Sequence, residues 1–154
     1  MSKSIVHQLT IKSAPNVVYA ALTTQAGLAS WWINECKAEP KVGFINTFHF
    51  EGYPNTEMRV RKLTENKKVV WKCVGGDKQW IGTRLKFSLK ENDGHTILKF
   101  KHSKWKKQSD FFAVCNFHWA RHFIMLQHYC ESGKSLLSPA KEKAKIKEVK
   151  KAKN

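Results

Sequence analysis

The first third of the chain changes from a strand-like to a helix-like hydrophobic pattern. In residues 4–12, apolar side chains recur at alternate positions, which is typical of a β-strand with one buried face. Pro15 then marks a helix start, because proline is favoured in the first helical turn. Gly27 interrupts this pattern, and a second short helical segment ends in two adjacent tryptophans, Trp31 and Trp32. The pattern therefore predicts one strand followed by two short helices.

Between residues 43 and 103, the hydrophobic period becomes two. Apolar side chains alternate with charged ones in successive runs, and turn-forming residues at positions 75–77 and 92–94 separate some of these runs. Short connections of this kind join antiparallel neighbours. The segment is therefore predicted to form a meander of about five strands with one face buried.

The hydrophobic period returns to 3.6 after Ser109, which is predicted to cap a helix that ends at Gly133. This helix of roughly 24 residues would be about 36 Å long, enough to cross a sheet. At about 100° per residue, one largely aromatic stripe covers about a third of its circumference. The stripe consists of Phe111, Phe112, Cys115, Trp119, Phe123, Leu126, Tyr129 and Cys130.

This order of elements predicts an α+β helix-grip fold. A curved antiparallel sheet of about six strands would wrap on the long C-terminal helix, with two short helices after the first strand. Residues 1–136 would form a single domain. The lysine-rich residues 137–154 lack an apolar face and are expected to form a basic, mobile tail.

The charge changes the range of expected partners. The 154 residues carry a formal net charge of +16, which favours polyanions or acidic protein surfaces without specifying either. No apolar run approaches the ~20 residues of a membrane span, and no signal sequence precedes the first strand. We therefore expect a cytoplasmic protein.

Several segments resemble the AHSA-type branch of the START-like superfamily, which is related to the activator of the heat-shock chaperone ATPase. The similar segments are IKSAPNVVYAALTTQAGLASWW, KVGFINTFHF, ENDGHTILKFKHS and FHWARHFIMLQHYCESGK, within Val6 to Lys134. The resemblance implies the helix-grip fold and a groove that binds a hydrophobic small molecule or lipid. It also implies, as an alternative, a module that binds a chaperone. A small lyase or cyclase is a third reading, since some superfamily members have these activities.

The predicted groove lies between the sheet and the long helix. Adjacent helical residues point about 100° apart, so we expect one tryptophan of the pair in the core and the other near the groove mouth. The ligand-binding candidates are the inward-facing apolar residues and one histidine. They are Trp31, Trp32, Phe48, Phe50, Met58, Val60, Trp71, Leu85, Phe87, Leu98, Phe112, Trp119, His122 and Phe123.

The opposite sheet face provides a candidate surface for an acidic partner. Basic residues on neighbouring strands would align there. We call this set the basic face: Arg59, Arg61, Lys72, Arg84, Lys86, Lys99 and Lys101. Nucleic acid is not expected as a partner, because base stacking needs exposed aromatics and Trp105 is the one aromatic predicted to be exposed among basic residues. A monomer is expected.

Other residue patterns point away from a metal or a catalytic centre. His118 and His122 have metal-pair spacing, but Trp119 stands where a zinc-protease motif has glutamate. The four cysteines lack the close pairing of a zinc site and are interpreted as thiols. The titratable candidates near the groove, His49, Glu57, Arg59 and His122, include no nucleophile with a partner base. We expect no metal, no cofactor and binding rather than catalysis.

Overall fold

The predicted α+β helix-grip fold is confirmed. A computed structural model describes residues 3–137 as one seven-stranded antiparallel sheet and three helices. Residues 138–154 of the predicted basic tail lie outside the described residues. The elements are β1 (Lys3–Ile11), α1 (Pro15–Thr23), α2 (Gln25–Trp31), β2 (Cys36–Lys37), β3 (Ile45–Phe48), β4 (Thr56–Thr64), β5 (Lys68–Gly75), β6 (Arg84–Asn92), β7 (His95–Trp105) and α3 (Asp110–Ser132).

The strand order is β1-β7-β6-β5-β4-β3-β2, so β3 to β7 form the predicted meander and β1 returns beside β7. The count exceeds the expected six because of β2. This strand has two residues, Cys36 and Lys37, which pair with Phe48 and Thr47 of β3. Two residues are too few to produce a recognisable alternation of apolar and polar positions.

Helices α1 and α2 pack closely because Gly27 has no side chain. A Cβ atom there would lie 2.6 Å from the carbonyl oxygen of Ala20 and 2.6 Å from Cα of Ala21. Gly27 therefore lies inside α2 instead of interrupting the helical segment, and its amide donates to the capping hydroxyl of Thr24 at 3.0 Å. This packing places the end of α2, with its two tryptophans, over the sheet.

Both predicted ends of α3 are confirmed. The Ser109 hydroxyl accepts a hydrogen bond from the amide of Phe112, and Gly133 adopts a left-handed φ of 75°. The C-terminal half is held along β1, where the Gln127 side-chain amide donates to the carbonyl of Thr10 at 2.8 Å. The helix thus lies over the concave sheet face, where five of the eight stripe residues are buried and Phe111, Tyr129 and Cys130 are partly buried.

A β-bulge at the end of β7 overturns the prediction that Trp105 is exposed. The pairing with β1 shifts between the positions opposite Lys3 and Ile5, and Lys104 has a left-handed φ of 70°. The extra residue lets Trp105 point inward although it lies three positions after the inward-facing His102. Trp105 is 1% exposed, and its ring packs on Phe112 with centroids 5.0 Å apart.

Candidate functional site

The ligand-binding candidates named from the sequence lie together on the concave side of the sheet. All are buried except Phe50 and His122, which are partly exposed. They come from α2, from α3, and from the inward positions of β3 to β7, with Phe50 just after β3. Alternation along the strands and the 3.6-residue period of α3 thus direct these side chains to one space.

Trp32 lies at the centre of this space. Its ring centroid is 4.3 Å from that of Phe48, 5.2 Å from Trp119 and 6.1 Å from Trp71. Trp31 stacks on its other side at 6.2 Å. We expected one of these two tryptophans in the core and the other near the groove mouth. This prediction is wrong, because both are buried: Trp31 is 0% exposed and Trp32 is 4% exposed.

The aromatic side chains fill the space between α3 and the sheet. A void large enough for water would leave accessible area on the side chains that line it. Trp31, Phe48 and Phe87 have 0% accessible area, and Trp71 and Phe100 have 1%. An apolar ligand could therefore enter the predicted groove only if one or more of these rings moved.

A buried histidine that the sequence analysis did not single out organises the polar atoms of this interior. The Nδ1 atom of His102 accepts a hydrogen bond from the Trp119 indole at 3.2 Å, so its Nε2 carries the proton and donates to the Thr83 hydroxyl at 2.8 Å. Thr83 in turn donates to the carbonyl of Trp80. Burial lowers the pKa of His102 to about 3, so the ring is neutral at pH 7. In the sequence, His102 lies two positions after the inward-facing Phe100, and this alternation is the signal that could have identified it as an interior residue.

Two further imidazoles lie beside Phe123 at the α3–β1 side of the interior. His122 is adjacent to Phe123 in α3, and the ring of His7 contacts that of Phe123 at 5.9 Å. The Nδ1 of His122 and the Nε2 of His7 are buried without hydrogen-bond partners. Burial, together with nearby His118 and Arg121, lowers the pKa of His122 to about 4. Both rings therefore leave polar atoms unsatisfied in an apolar setting.

The residues considered for catalysis do not converge. His49 is exposed and lies 3.7 Å from Glu35, whereas Glu57 and Arg59 are on the opposite sheet face from His122. Within residues 3–137, no group of three or more histidine, cysteine or acidic side chains is placed to hold a metal. Burial raises the pKa values of the thiols, with the pKa of Cys73 at about 11, so they are protonated at neutral pH.

The basic face is a continuous outer surface. Six of its seven side chains are exposed, and Lys72 is half-buried. Like charges lie directly opposite each other across neighbouring strands: Arg59 pairs with Lys72, Lys72 with Arg84, and Lys86 with Lys101. None of the seven forms a salt bridge with another of residues 3–137. The half-buried Glu57 is on the same side of β4 as Arg59, so the face carries an excess of positive charge.

The geometry defines a helix-grip protein of the START-like superfamily, with a filled aromatic interior and a basic outer sheet. The sequence profile of the family described as "Activator of Hsp90 ATPase homolog 1-like protein" matches residues 12–131. The chain belongs to this family. A search of curated proteins gave no match.

Solved structures agree with this assignment. The solution structure of the Aha1 dimer from Colwellia psychrerythraea is 36% identical, covers 86% of this chain and 99% of that chain, and has a TM-score of 0.80. Protein MLL2253 from Mesorhizobium loti shares the fold, with 18% identity, coverage of 82% of this chain and 95% of that chain, and a TM-score of 0.73. CalU16 from Micromonospora echinospora also shares it, with 16% identity, coverage of 88% of this chain and 78% of that chain, and a TM-score of 0.70.

The expected monomer does not fit the Colwellia protein, which is described as a dimer. No helix within residues 3–137 combines the length and hydropathy needed to cross a membrane.

Proposed function

We propose that the chain binds an acidic surface of a partner protein through the basic face. The observation that carries this proposal is the set of like-charged cross-strand pairs, exemplified by Lys86 opposite Lys101. Like charges directly opposite on a sheet are destabilising. A sheet face that only has to be soluble can carry acidic and basic residues side by side, which avoids this cost. An acidic partner would convert the repulsion into a binding surface.

The family description suggests the class of partner. It names an activator of the Hsp90 ATPase, and the proposal is that this chain contacts an acidic surface on a chaperone of the Hsp90 class. Because the interior is filled, the outer surface is the more accessible place for a partner to bind. Electrostatic complementarity of this kind increases the association rate and weakens as salt rises.

The test measures binding to the Hsp90-class chaperone of the same organism at increasing ionic strength, together with its ATPase rate. Arg84→Glu combined with Lys86→Glu should lower affinity by about tenfold or more, because two contact charges are reversed. The matched control is Lys37→Glu with Lys41→Glu, which makes the same charge change at exposed positions; β3, β4 and β5 lie between Lys37 in β2 and the two substituted residues in β6.

Affinity of the control variant should fall by less than about threefold, since distant exposed charges are screened. Equal losses in the two variants would show that net charge alone drives binding. Binding that does not change with salt would also contradict the proposed electrostatic contact.

A hydrophobic ligand in the interior is the second candidate, favoured by the unpartnered nitrogens of His7 and His122 beside Phe123. A small apolar molecule with a polar group could displace a ring and satisfy one of these atoms. Native mass spectrometry of the purified protein would reveal a co-purifying compound. Trp32→Ala would vacate the central position, so it should increase uptake of indole, whereas Val114→Ala on the exposed side of α3 should not. No uptake by Trp32→Ala would contradict this candidate.

The outer side of α3 supports self-association of the kind described for the Colwellia protein. Val114, Phe117 and Ile124 are 49%, 64% and 62% exposed. Their spacing of three and seven residues places them on one side of the helix, opposite the buried stripe. The helix has no lysine and only one arginine, Arg121. Like-charge repulsion between two copies of this basic chain would therefore be weak along α3.

Sedimentation at several protein concentrations tests this arrangement. Phe117→Lys should shift the distribution toward monomer, because it places charge in the apolar stripe. Asn116→Lys adds the same charge beside the stripe and should leave the dimer intact. A monomeric protein at all concentrations, or equal effects of the two substitutions, would contradict the assignment.

A further inference from the structure

A pocket of about 320 Å³ lies on the surface beside the start of α3, between the β5–β6 loop and the segment that joins β7 to α3. Positively charged residues dominate its lining, and no acidic residue contributes to it. We call it the lysine pocket, formed by Lys78, Gln79, Ile81, Lys104, Trp105, Lys106 and Lys107.

The positive charge of the lysine pocket is not neutralised by the protein. None of its four lysines forms a salt bridge with another of residues 3–137. Two acidic residues are neighbours in sequence, Asp77 and Asp110, but neither lines the pocket. The Asp77 carboxylate accepts a hydrogen bond from the amide of Gln79 at 2.8 Å and so serves the loop backbone. An anion in the pocket would therefore meet an excess of positive charge.

The positive end of α3 adds to this charge. Ser109 caps the 23-residue helix, and its hydroxyl donates to the side-chain oxygen of Gln79 at 2.5 Å. Gln79 thereby ties the pocket wall to the helix N-terminus. The aligned peptide dipoles of a helix favour anions at that end. Asp110 in the first turn of α3 offsets part of this dipole charge, so the lysine side chains supply the main attraction for an anion.

The wall contains a strained residue, and a buried donor without a partner lies in the core behind it. Lys104 adopts a left-handed φ of 70° at the β7 bulge, a conformation that costs energy for a residue other than glycine. The bulge leaves the Lys104 side chain exposed at the pocket and turns Trp105 inward. The indole Nε1 of Trp105 is buried without a partner. Buried N–H groups almost always have an acceptor.

We propose that the lysine pocket binds a soluble phosphomonoester with an apolar organic group. A dianionic phosphate matches several lysine point charges, and lysine is a common phosphate ligand. The volume exceeds that needed for phosphate alone, and Ile81, 47% exposed, offers an apolar contact. Trp105 contributes to the lining, but its ring points into the core, so its indole N–H serves as a reporter of binding and not as a ligand. The lysine pocket shares no residue with the basic face, and the proposal does not depend on binding of an acidic partner.

Phenyl phosphate is the test ligand, titrated into the full chain at physiological ionic strength. Binding is followed by calorimetry and by the indole N–H signals in nitrogen-edited NMR spectra. The Trp105 signal is assigned by its loss in Trp105→Phe, and it should shift saturably with phenyl phosphate. Inorganic phosphate should bind more weakly, because it makes no contact with Ile81.

Charge variants separate a defined site from general attraction to a basic protein. Lys104→Gln with Lys106→Gln should weaken phenyl phosphate binding about tenfold, since two charge-assisted contacts are lost. Lys86→Gln with Lys99→Gln removes equal charge from the basic face and should change affinity less than about twofold. Circular dichroism should confirm that both variants are folded.

Three results would overturn the proposal. One is the absence of a saturable shift of the Trp105 indole signal up to about 10 mM phenyl phosphate. Another is an equal loss of affinity in the two lysine variants. The third is equal affinity for inorganic phosphate and phenyl phosphate, which would remove the apolar group from the proposal.

Discussion

The two faces of the sheet share the same strands but differ in how their side chains are satisfied. On the concave face, the aromatic rings contact one another, and His102 has hydrogen-bond partners on both ring nitrogens. On the convex face, basic side chains stand opposite one another, and none of the seven forms a salt bridge within the part of the chain that the structure describes. The concave face is therefore satisfied within the chain apart from a few nitrogens, among them those of His7 and His122, whereas the basic residues of the convex face have no ionic counterpart among residues 3–137. This difference favours the outer surface as the place where another molecule binds.

The faces should also respond differently to substitution. Aromatic contacts on the concave face stabilise the folded chain, and truncation there leaves a void. Charges on the convex face contribute little to folding, so their substitution should act mainly on binding. The following predictions test this separation, beginning with the largest effect.

Trp119→Ala is expected to lower the free energy of unfolding by about 3–5 kcal/mol, as truncation of a buried large ring does. Trp119 is 2% exposed and also donates its indole N–H to His102. Lys86→Ala on the convex face should change stability by less than about 0.5 kcal/mol. Urea unfolding measures both. A loss below about 1 kcal/mol for Trp119→Ala would show that α3 is not held by this ring.

Acid should destabilise the protein through the concave face. The pKa of His102 is about 3 in the folded chain and 6.5 in a model peptide, so the unfolded state binds the proton first as pH falls. Stability present above pH 6.5 is therefore lost toward pH 3, at up to about 1.4 kcal/mol per pH unit. Between pH 7 and pH 5, the loss expected from His102 is about 2 kcal/mol, and His122, with its pKa of about 4, adds a loss of the same sign.

The variant His102→Gln provides the control for the pH effect. Glutamine can accept from Trp119 and donate to Thr83, but it does not titrate. Urea unfolding at pH 7 and pH 5 should show a smaller difference for this variant than for the original protein. An unchanged difference would assign the pH effect to other groups.

Lys86→Glu is expected to produce the smallest and most informative change. It replaces a repulsion with Lys101 by an attraction, so stability should rise by roughly 0.2–1 kcal/mol. The same substitution should weaken binding to an acidic partner. Thermal unfolding and binding measured on one preparation test both effects. A decrease in stability would mean that the lysines are not in repulsive contact.

Much of the fold could be predicted from local patterns. The ends of α3 follow from Ser109 and Gly133, because capping chemistry depends on residues near the helix ends. Alternation along the strands predicted which sheet face each side chain occupies. Strand β2 and the inward rotation of Trp105 were missed, since the first is too short for a pattern and the second depends on a bulge fixed by pairing with β1.

The candidate site was harder to predict than the fold. The inward-facing residues were correctly predicted to surround one space, but the amino-acid sequence alone does not determine whether that space is open or filled. That distinction depends on how rings from α2, α3 and the sheet fit together. The importance of His102 also depends on tertiary contacts, because its partners Thr83 and Trp119 are remote in the chain. The lysine pocket likewise combines two separate loops.

The crowding around Trp32 has an optical consequence. Four of the six tryptophans, Trp31, Trp71, Trp80 and Trp119, have ring centroids between 5.2 and 6.5 Å from that of Trp32. Indoles this close couple their electronic transitions, so the native chain should give an intense near-ultraviolet circular dichroism signal. Excitation energy should also migrate among the rings before emission. Loosening of α3 from the sheet would therefore be visible without an added label.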